Sequence, residues 1–402
     1  PLQLNLPIVP VHDLTIKDGS LIAATHGRAF WVLDDLSPLR ELAARHDVAG
    51  AVHLFAPAPA YRYADAGGSF QRPGEGQNPP AGVVVDYYLK AAPPEERAKE
   101  VKLEILTADG KVIRTFHGKP AEAGKEPKPD APAKAAAAAK EEDKEAAKEA
   151  DKKGDKETAK AKEPAAGEDD DAEEEKVPTE AGLNRFVWDL SWPAAGKFPG
   201  IVLWSGDPIA PAAVPGSYQV RLTAAGQTLT QPFELRKDPR STATQEDLEA
   251  QFRFLLATRD KLTEVHDAVR RIREVRAQLG DVEKRLAKED AMKPVVDAAK
   301  DLDKKMTTVE TALYQTKNRS SEDPLNFPIQ LDDKLNAVAS SAALGDDRPT
   351  AQAVQVRDQV VVAIDAQLAK LRGIWDADLA HFNQLAREKG VAAVVVPPAR
   401  LK

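Results

Sequence analysis

The spacing of apolar residues changes once along this chain, near residue 241, and that change limits the fold more than any other feature. Before it, apolar residues alternate, as in Val101, Leu103 and Ile105 and again in Tyr218, Val220 and Leu222. A period of two puts one face of a strand in a core and the other in water. After it they recur every three or four positions: Leu248, Phe252, Leu255, Leu262, Val265, Val269, Ile272, Val275, Leu279, Val282 and Leu286. That stripe predicts a helix about 60 Å long. Strands first and helices last, in separate segments, describe a multidomain α+β chain, and 402 residues leave room for two to four domains.

Further stripes follow the first helix, over Val295, Ala299, Leu302, Met306, Val309 and Leu313, over Leu331, Leu335, Val338 and Ala342, and over Val361, Ile364, Leu368, Leu371, Trp375, Leu379, Phe382 and Leu385. Thr244 with Asp247 resembles a capping box, and Thr350 after Pro349 caps the last helix. Helices amphipathic in this way pack on one another, so 241–390 is expected to form an elongated antiparallel bundle with Leu255, Leu262, Leu368, Leu371 and Trp375 in its core. Residues 391–402 (VAAVVVPPARLK) return along it as an extended tail. The same stripes offer a face to another protein or to a second copy of the chain.

In the strand-forming part, VVVDYYLK (83–90), VKLEILTADGKVIRTF (101–116), GLNRFVWDLSW (182–192), GIVLWS (200–205) and GSYQVRLTAAGQTLTQPFELRKD (216–238) supply six or seven short strands, with Asp109-Gly110 and Ala225-Gly226 as hairpin turns. Residues 82–240 therefore read as a small two-sheet sandwich. Interrupting it, 118–181 contains no Phe, Trp or Tyr, and residues 119–180 hold 13 Lys against 20 Asp plus Glu, a net of −7. Such a tract has nothing to bury and is expected to be a disordered, solvated insertion. Its acidic run, residues 168–175, lacks the glycine-containing loop of a calcium site. Ahead of the sandwich, VHDLTI, LIAAT and AFWVLD make three short strands around an Asp-Gly turn and a Gly27 turn, and Ser37 and Pro38 open a short helix. Three strands cannot bury their own faces, so residues 1–45 belong to a larger β body. Between the two, 46–81 is an ordered strap or linker held by Tyr61, Tyr63 and Phe70.

Charge and composition exclude several functions. The chain carries −8 overall, so outside the insertion it is nearly neutral, which argues against nucleic-acid binding. Without Cys there is no disulfide, thiolate nucleophile or Cys-ligated metal. No apolar run is long enough to span a membrane. The chain opens on PLQLNLPIVP, where no signal peptide is visible. GxSxG, HExxH, GxGxxG and P-loop patterns are missing, and no cofactor is implied.

Two clusters can be read chemically. His26 and Arg28 with Asp34 and Asp35 offer a general acid, a base and an anion-binding guanidinium, if they converge. Turn and strand hydrogen bonding accounts for the same residues: Gly27 supplies the turn, Arg28 pairs with an Asp, and Trp31 and Val32 face opposite sides. His12, Asp13 and His26 are a second set, without the tight spacing of a zinc site. Trp188, Trp192, Trp204 and Tyr218 make a sugar platform only if they share a surface; core packing is the simpler reading. His266 and His381 sit beside helical stripes, as hydrogen-bonded imidazoles do.

NLPIVPVHDLTIKDGSLIAATHGRAFWVLDDLSPLRELA resembles the closing blade of bacterial exported propeller proteins of the BNR or YVTN repeat, sortilin-like, glycosyl hydrolase-like family. PAYRY (59–63), GVVVDYYLK (82–90), GLNRFVWDL (182–190), PGSYQVRL (215–222), TQPFELRKDPR (230–240) and DPLNFPIQLDDKL (323–335) extend the similarity. The resemblance implies a terminal β-propeller blade remnant, an Ig-like or fibronectin-like β-sandwich and a helical end. It also implies that the remainder of the propeller is a partner and that the location is extracytoplasmic, periplasmic or secreted. In the sandwich the pattern falls on Gly182, Asn184, Trp188 and Asp189, then on Pro215, Gly216, Tyr218, Val220 and Leu222. The Asp-box of sialidase-type enzymes, Ser-x-Asp-x-Gly-x-x-Trp, does not occur, so no catalytic residue carries over. A noncatalytic interaction or structural module attached to the propeller is the expected function, with the accessory part of a propeller glycoside hydrolase as the alternative.

Overall fold

The computed structural model describes residues 6–45, 50–63, 79–120, 175–320 and 322–400. It is α+β and falls into two compact units, Pro1–Asp189 with Ser217–Leu235, and Leu190–Gly216 with Arg236–Lys402.

Among the described residues three sheets make the first unit. The sheet nearest the start runs β1 (Val11–Lys17), β2 (Ser20–Thr25), β3 (Phe30–Leu33), followed by helix α1 (Ser37–Arg45). Asp18 and Gly19 have φ of 50° and 85°, the paired left-handed conformation that a two-residue hairpin needs. Strands β4 (Val52–Leu54), β6 (Val83–Leu89) and β9 (Gly182–Trp188) form a second sheet in the order β4-β6-β9. β5 (Ala60–Arg62), β7 (Lys102–Thr107), β8 (Val112–His117), β10 (Gly216–Ala224) and β11 (Gln227–Lys237) form a third in the order β5-β11-β10-β7-β8. The last two sheets face each other through aromatic rings. Phe116 meets Phe186 at 4.6 Å, and Trp188, fully buried, meets Tyr218 at 5.9 Å and Phe233 at 6.1 Å.

Asn184 closes the turn before its own strand, accepting from Glu180 N at 2.9 Å and donating to Glu180 O at 2.8 Å. Asp189 accepts from Arg114 at 3.2 Å. Buried carboxylates on both sheets are matched across the ladder: Asp86 lies opposite Arg185, and Glu104 opposite Arg221.

The disorder expected for 118–181 falls largely on 121–174, outside the described residues, but ordered structure reaches into both ends of that range. Gly118 bridges Val177, Lys119 N donates to Val177 O, and Thr179 Oγ1 donates to Lys119 O at 2.6 Å. A Cβ on Gly118 would lie 2.3 Å from Ala98 O, so only glycine fits where the two ends meet. Of the aromatic residues assigned to the strap, Phe70 also lies outside the described residues; Tyr61 is exposed, and Tyr63 donates to Pro79 O at 3.4 Å.

The second unit is a long helical bundle. It comprises α2 (Gln245–Leu286), α3 (Lys293–Leu313), α4 (Leu331–Ala342), α5 (Ala351–Gly373) and α6 (Ala380–Glu388). Thr244 and Asp247 form the capping box reciprocally, at 3.1 and 3.2 Å, and Thr350 accepts from Ala353 N at 3.1 Å. Helices α2 and α3 run antiparallel, since Arg273 pairs with Glu310 while Arg276 reaches back to Asp303. One core cluster joins Leu262, Leu368 and Leu371 to Phe198 and Val394, with Trp375 packed at its margin. Leu255, expected in that core, packs instead with Phe254 and Ala339 in a separate small cluster.

Two expectations are corrected. GIVLWS, expected as a strand, is loop and belongs to the helical unit. The last stripe is not one uniform helix: Ile374–Leu379 is π-helical between α5 and α6. Leu379 at its end and Phe382 beyond it are buried in the core.

Leu371 is fully enclosed. Leu371→Ala is expected to cost about 2–5 kcal/mol in urea unfolding. A loss under about 0.5 kcal/mol would show that the stripe does not hold the bundle together.

Candidate functional site

The residues singled out near the start of the chain do not converge. His26, Arg28 and Asp34 are exposed, and among the described residues Arg28 forms no ion pair with Asp34 or Asp35. Asp35, at φ 52°, accepts from Ser37 N at 2.9 Å and so serves the start of α1. Gly27, at φ 78°, turns the chain between β2 and β3, and the Trp31 indole closes that turn by donating to Arg28 O at 3.0 Å. His12 and His26 stack at 5.2 Å, while Asp13 is engaged with Leu14 N at 2.9 Å. No three His, Asp or Glu among the described residues come together as a metal site.

Nor do the aromatic residues form one surface. Trp188 and Tyr218 lie in the core of the first unit. Trp192 packs edge-on against Phe252 at 5.1 Å, and Trp204 projects from a loop of the second unit. Pro215 O accepts from Gln245 Nε2 at 3.0 Å, just ahead of Gly216 at the start of β10.

The densest polar arrangement is in the helical unit, where the loop 196–206 lies on the helices. Its backbone has no ladder of its own, so side chains answer it. Tyr314, from the end of α3, accepts from Val202 N at 3.1 Å. Asp333, in the first turn of α4, accepts from Trp204 N at 2.7 Å, Ser205 N at 3.0 Å and Ser205 Oγ at 2.6 Å. One turn further, Asn336 donates to Ser205 Oγ at 2.8 Å and Gly206 O at 3.0 Å. From α2, Thr263 accepts from Gly196 N at 3.2 Å and His266 Nδ1 meets Gly196 O at 2.6 Å.

A carbonyl only accepts, so His266 carries its proton on Nδ1 and leaves a lone pair on Nε2. That Nε2 lies 3.9 Å from Asp332 Oδ2, beyond hydrogen-bond reach, and neither atom has another partner. Both side chains are fully buried. Burial raises the Asp332 carboxyl to about 8, with the Asp333 charge adding to the rise and a backbone hydrogen bond opposing it. Burial likewise lowers the His266 imidazole to about 4. At neutral pH the arrangement is a carboxylic acid facing a neutral imidazole, beside an Asp333 that accepts three hydrogen bonds. The pair is sealed and offers a substrate no surface; the visible work of the surrounding cluster is to fasten the loop.

Sequence reasoning placed His266 beside a stripe but missed Asp332, Asp333 and Asn336. The signal was present: Asp332 and Asn336 share a helical face with Leu335 and Ala339, and polar residues at core positions demand partners.

No family model, no curated protein and no solved structure matches the chain.

The two shifted groups act on stability in opposite directions. Between about 3.8 and 8 the folded protein keeps the Asp332 proton that the unfolded chain releases, so stability falls as pH rises. Between about 4 and 6.5 the unfolded chain protonates His266 and the folded protein does not, so stability falls as pH drops. The effects cancel where they overlap, leaving a decline from about pH 6.5 to 8 of at most about 1.4 kcal/mol per unit. Asp332→Asn should abolish that decline and leave the acid-side loss from His266 unopposed. Urea midpoints across pH 4–8 measure both; an unchanged slope above 6.5 in the variant would refute the assignment.

Proposed function

We propose that this chain is a noncatalytic interaction or structural module carried by a bacterial exported β-propeller protein of the BNR or YVTN, sortilin-like kind. The observation that carries the proposal is the β1–β3 sheet, in which β2 and β3 present apolar residues on both faces. By register, Leu14, Ile16, Leu21, Ala23, Trp31 and Leu33 share one face, and Ile22, Ala24, Phe30 and Val32 lie on the other beside Asp13, Thr15 and Lys17 of β1. On the first face Leu14 and Ile16 are 58% and 56% exposed; on the second Phe30 and Val32 are 73% and 54% exposed. A sheet with one solvated face alternates apolar and polar residues, whereas a sheet covered on both sides is apolar throughout. A propeller blade is of the second kind, flanked by blades on either side.

The strand order and inward aromatic residues of the two facing sheets support reading them as an Ig-like or fibronectin-like sandwich behind the blade. On this reading the chain works outside the cytoplasm, periplasmic or secreted. Among the described residues no helix is long and apolar enough to cross a membrane. Exposure of His26, Arg28 and Asp34 favours a supporting role over hydrolysis.

Because the chain has no Cys, single cysteines report on the blade cleanly. Leu14→Cys and Phe30→Cys should react freely with a maleimide in this chain, and both should be at least about tenfold slower when the propeller is present in the same polypeptide. Equal reactivity in the longer polypeptide would sink the proposal. A hundredfold or greater loss of glycan hydrolysis by that polypeptide on Asp34→Asn or Asp35→Asn, with folding intact, would favour the glycoside hydrolase instead.

A further inference from the structure

We propose that the groove formed by α2 and the π-helical and α6 segments is a recognition site for an extended, proline-containing peptide, and that Val391–Arg400 is its resident occupant. This is independent of the blade reading.

The occupant has no regular secondary structure, yet its backbone is read residue by residue. Asn383 donates to Val394 O at 2.9 Å and accepts from Val394 N at 2.8 Å. Gln278 does the same for the next residue, donating to Val395 O at 2.8 Å and accepting from Val395 N at 3.0 Å. Two side-chain amides on different helices thus imitate a neighbouring strand. Such contacts recognise an extended backbone whatever its side chains, and specificity falls to the positions that are buried. Val394 is the one enclosed side chain of the segment; Val395, Pro398 and Ala399 stay exposed.

The second half of the groove suits proline. Pro397 and Pro398 have no N–H, so only their carbonyls need answering, and both face guanidinium donors. Arg271 Nε donates to Pro397 O at 2.9 Å and Arg270 Nη2 to Pro398 O at 2.8 Å. Arg271 also lies over the Trp375 ring at 4.5 Å. Trp375 sits in the π-helical stretch, and its indole N–H is buried without a partner. Donors aligned on successive carbonyls suit a Pro-Pro segment, whose conformation is already fixed before binding. Asp267 completes the groove by accepting from Arg400 N at 3.1 Å.

The partner that fits is therefore an extended peptide with an aliphatic residue three positions before a Pro-Pro pair, the spacing of Val394 to Pro397. Such a peptide must compete with the attached segment, which lowers its apparent affinity by the fraction of time the groove stands open.

The test uses the full chain and a fluorescein-labelled peptide, Ala-Val-Val-Val-Pro-Pro-Ala-Arg-Leu, followed by anisotropy. Val394→Asp, which weakens the attached occupant, should bind the peptide at least about tenfold more tightly than the unaltered chain. Adding Gln278→Ala should reverse that gain, and a peptide with both prolines replaced by Ala should bind about tenfold more weakly. Three results overturn the proposal: a Val394→Asp chain with intact helical circular dichroism that gains no binding; loss of that helical signal, which would show that the bundle does not stand without the segment; or equal binding of the proline-free peptide.

Discussion

Loop 196–206 lies on the helical core, into which Phe198 is buried, with neither strand nor helix of its own, and the helices of the second unit answer part of its backbone. An unanswered N–H shielded from water costs about 1–3 kcal/mol, so the donors that the helices cover need acceptors. Here the acceptors come from different helices: Thr263 from α2, Tyr314 from the end of α3, Asp333 from α4. Fixing one loop to three helices also fixes the helices along one another. Asp333 takes two N–H groups and a hydroxyl in the first turn of α4. Its neighbour Asp332 receives one backbone N–H and faces a lone pair, and burial holds it neutral. The two adjacent aspartates differ in what each is offered.

Glu310 carries the same logic along the α2–α3 pair. It is buried and takes Arg273 at 2.8 Å and Arg276 at 2.7 Å. Arg273 then lies over the rings of Phe198 and Tyr314, so the ion pair reaches the loop as well as the helices. A buried carboxylate shared by two guanidiniums is costly to break, since removing it strands two charges. In the first unit, Asp86 and Glu104 each meet an Arg directly across the ladder. Those pairs match neighbouring strands within a sheet; Glu310 instead ties a helix pair to a loop.

Periodicity made the order of elements legible, and cap chemistry made some of their ends legible. The Thr244–Asp247 box and the Thr350 cap are local, and local rules suffice for them. GIVLWS was misread because its apolar residues satisfy a strand pattern, whereas its N–H groups are taken by Tyr314 and Asp333, more than a hundred positions away in sequence. The π-helical turn was hidden because the apolar spacing from Leu368 through Phe382 is the spacing of an ordinary helix, and nothing in it marks Ile374–Leu379. Of the candidate site, His266 was visible as a histidine beside a stripe. Asp332 and Asn336 were not recognised because a polar residue on an apolar face was read as tolerated instead of partnered.

The same reasoning separates two kinds of strand in the first unit. In β10 the inward residues Tyr218, Val220 and Leu222 alternate with Gln219, Arg221 and Thr223, and the sheet has one covered face to fill. In β2 the run Leu21, Ile22, Ala23 and Ala24 does not alternate; pairing with β3 extends the apolar character on both sides, and β1 extends it on the side of Leu14 and Ile16. Backbone pairing does not relieve this, because hydrogen bonds within a sheet leave its faces as they were. At about 25 cal/mol per Å² of apolar surface, a few hundred Å² left uncovered forfeits several kcal/mol, comparable to the whole stability of a small domain. Helix α1 buries Leu36 and Pro38 at one end of this sheet but leaves Phe30 and Val32 open. A strand with this composition gains its full burial only with a second layer on each side, and that requirement, more than any polar residue near the start of the chain, defines what those first strands are suited to do.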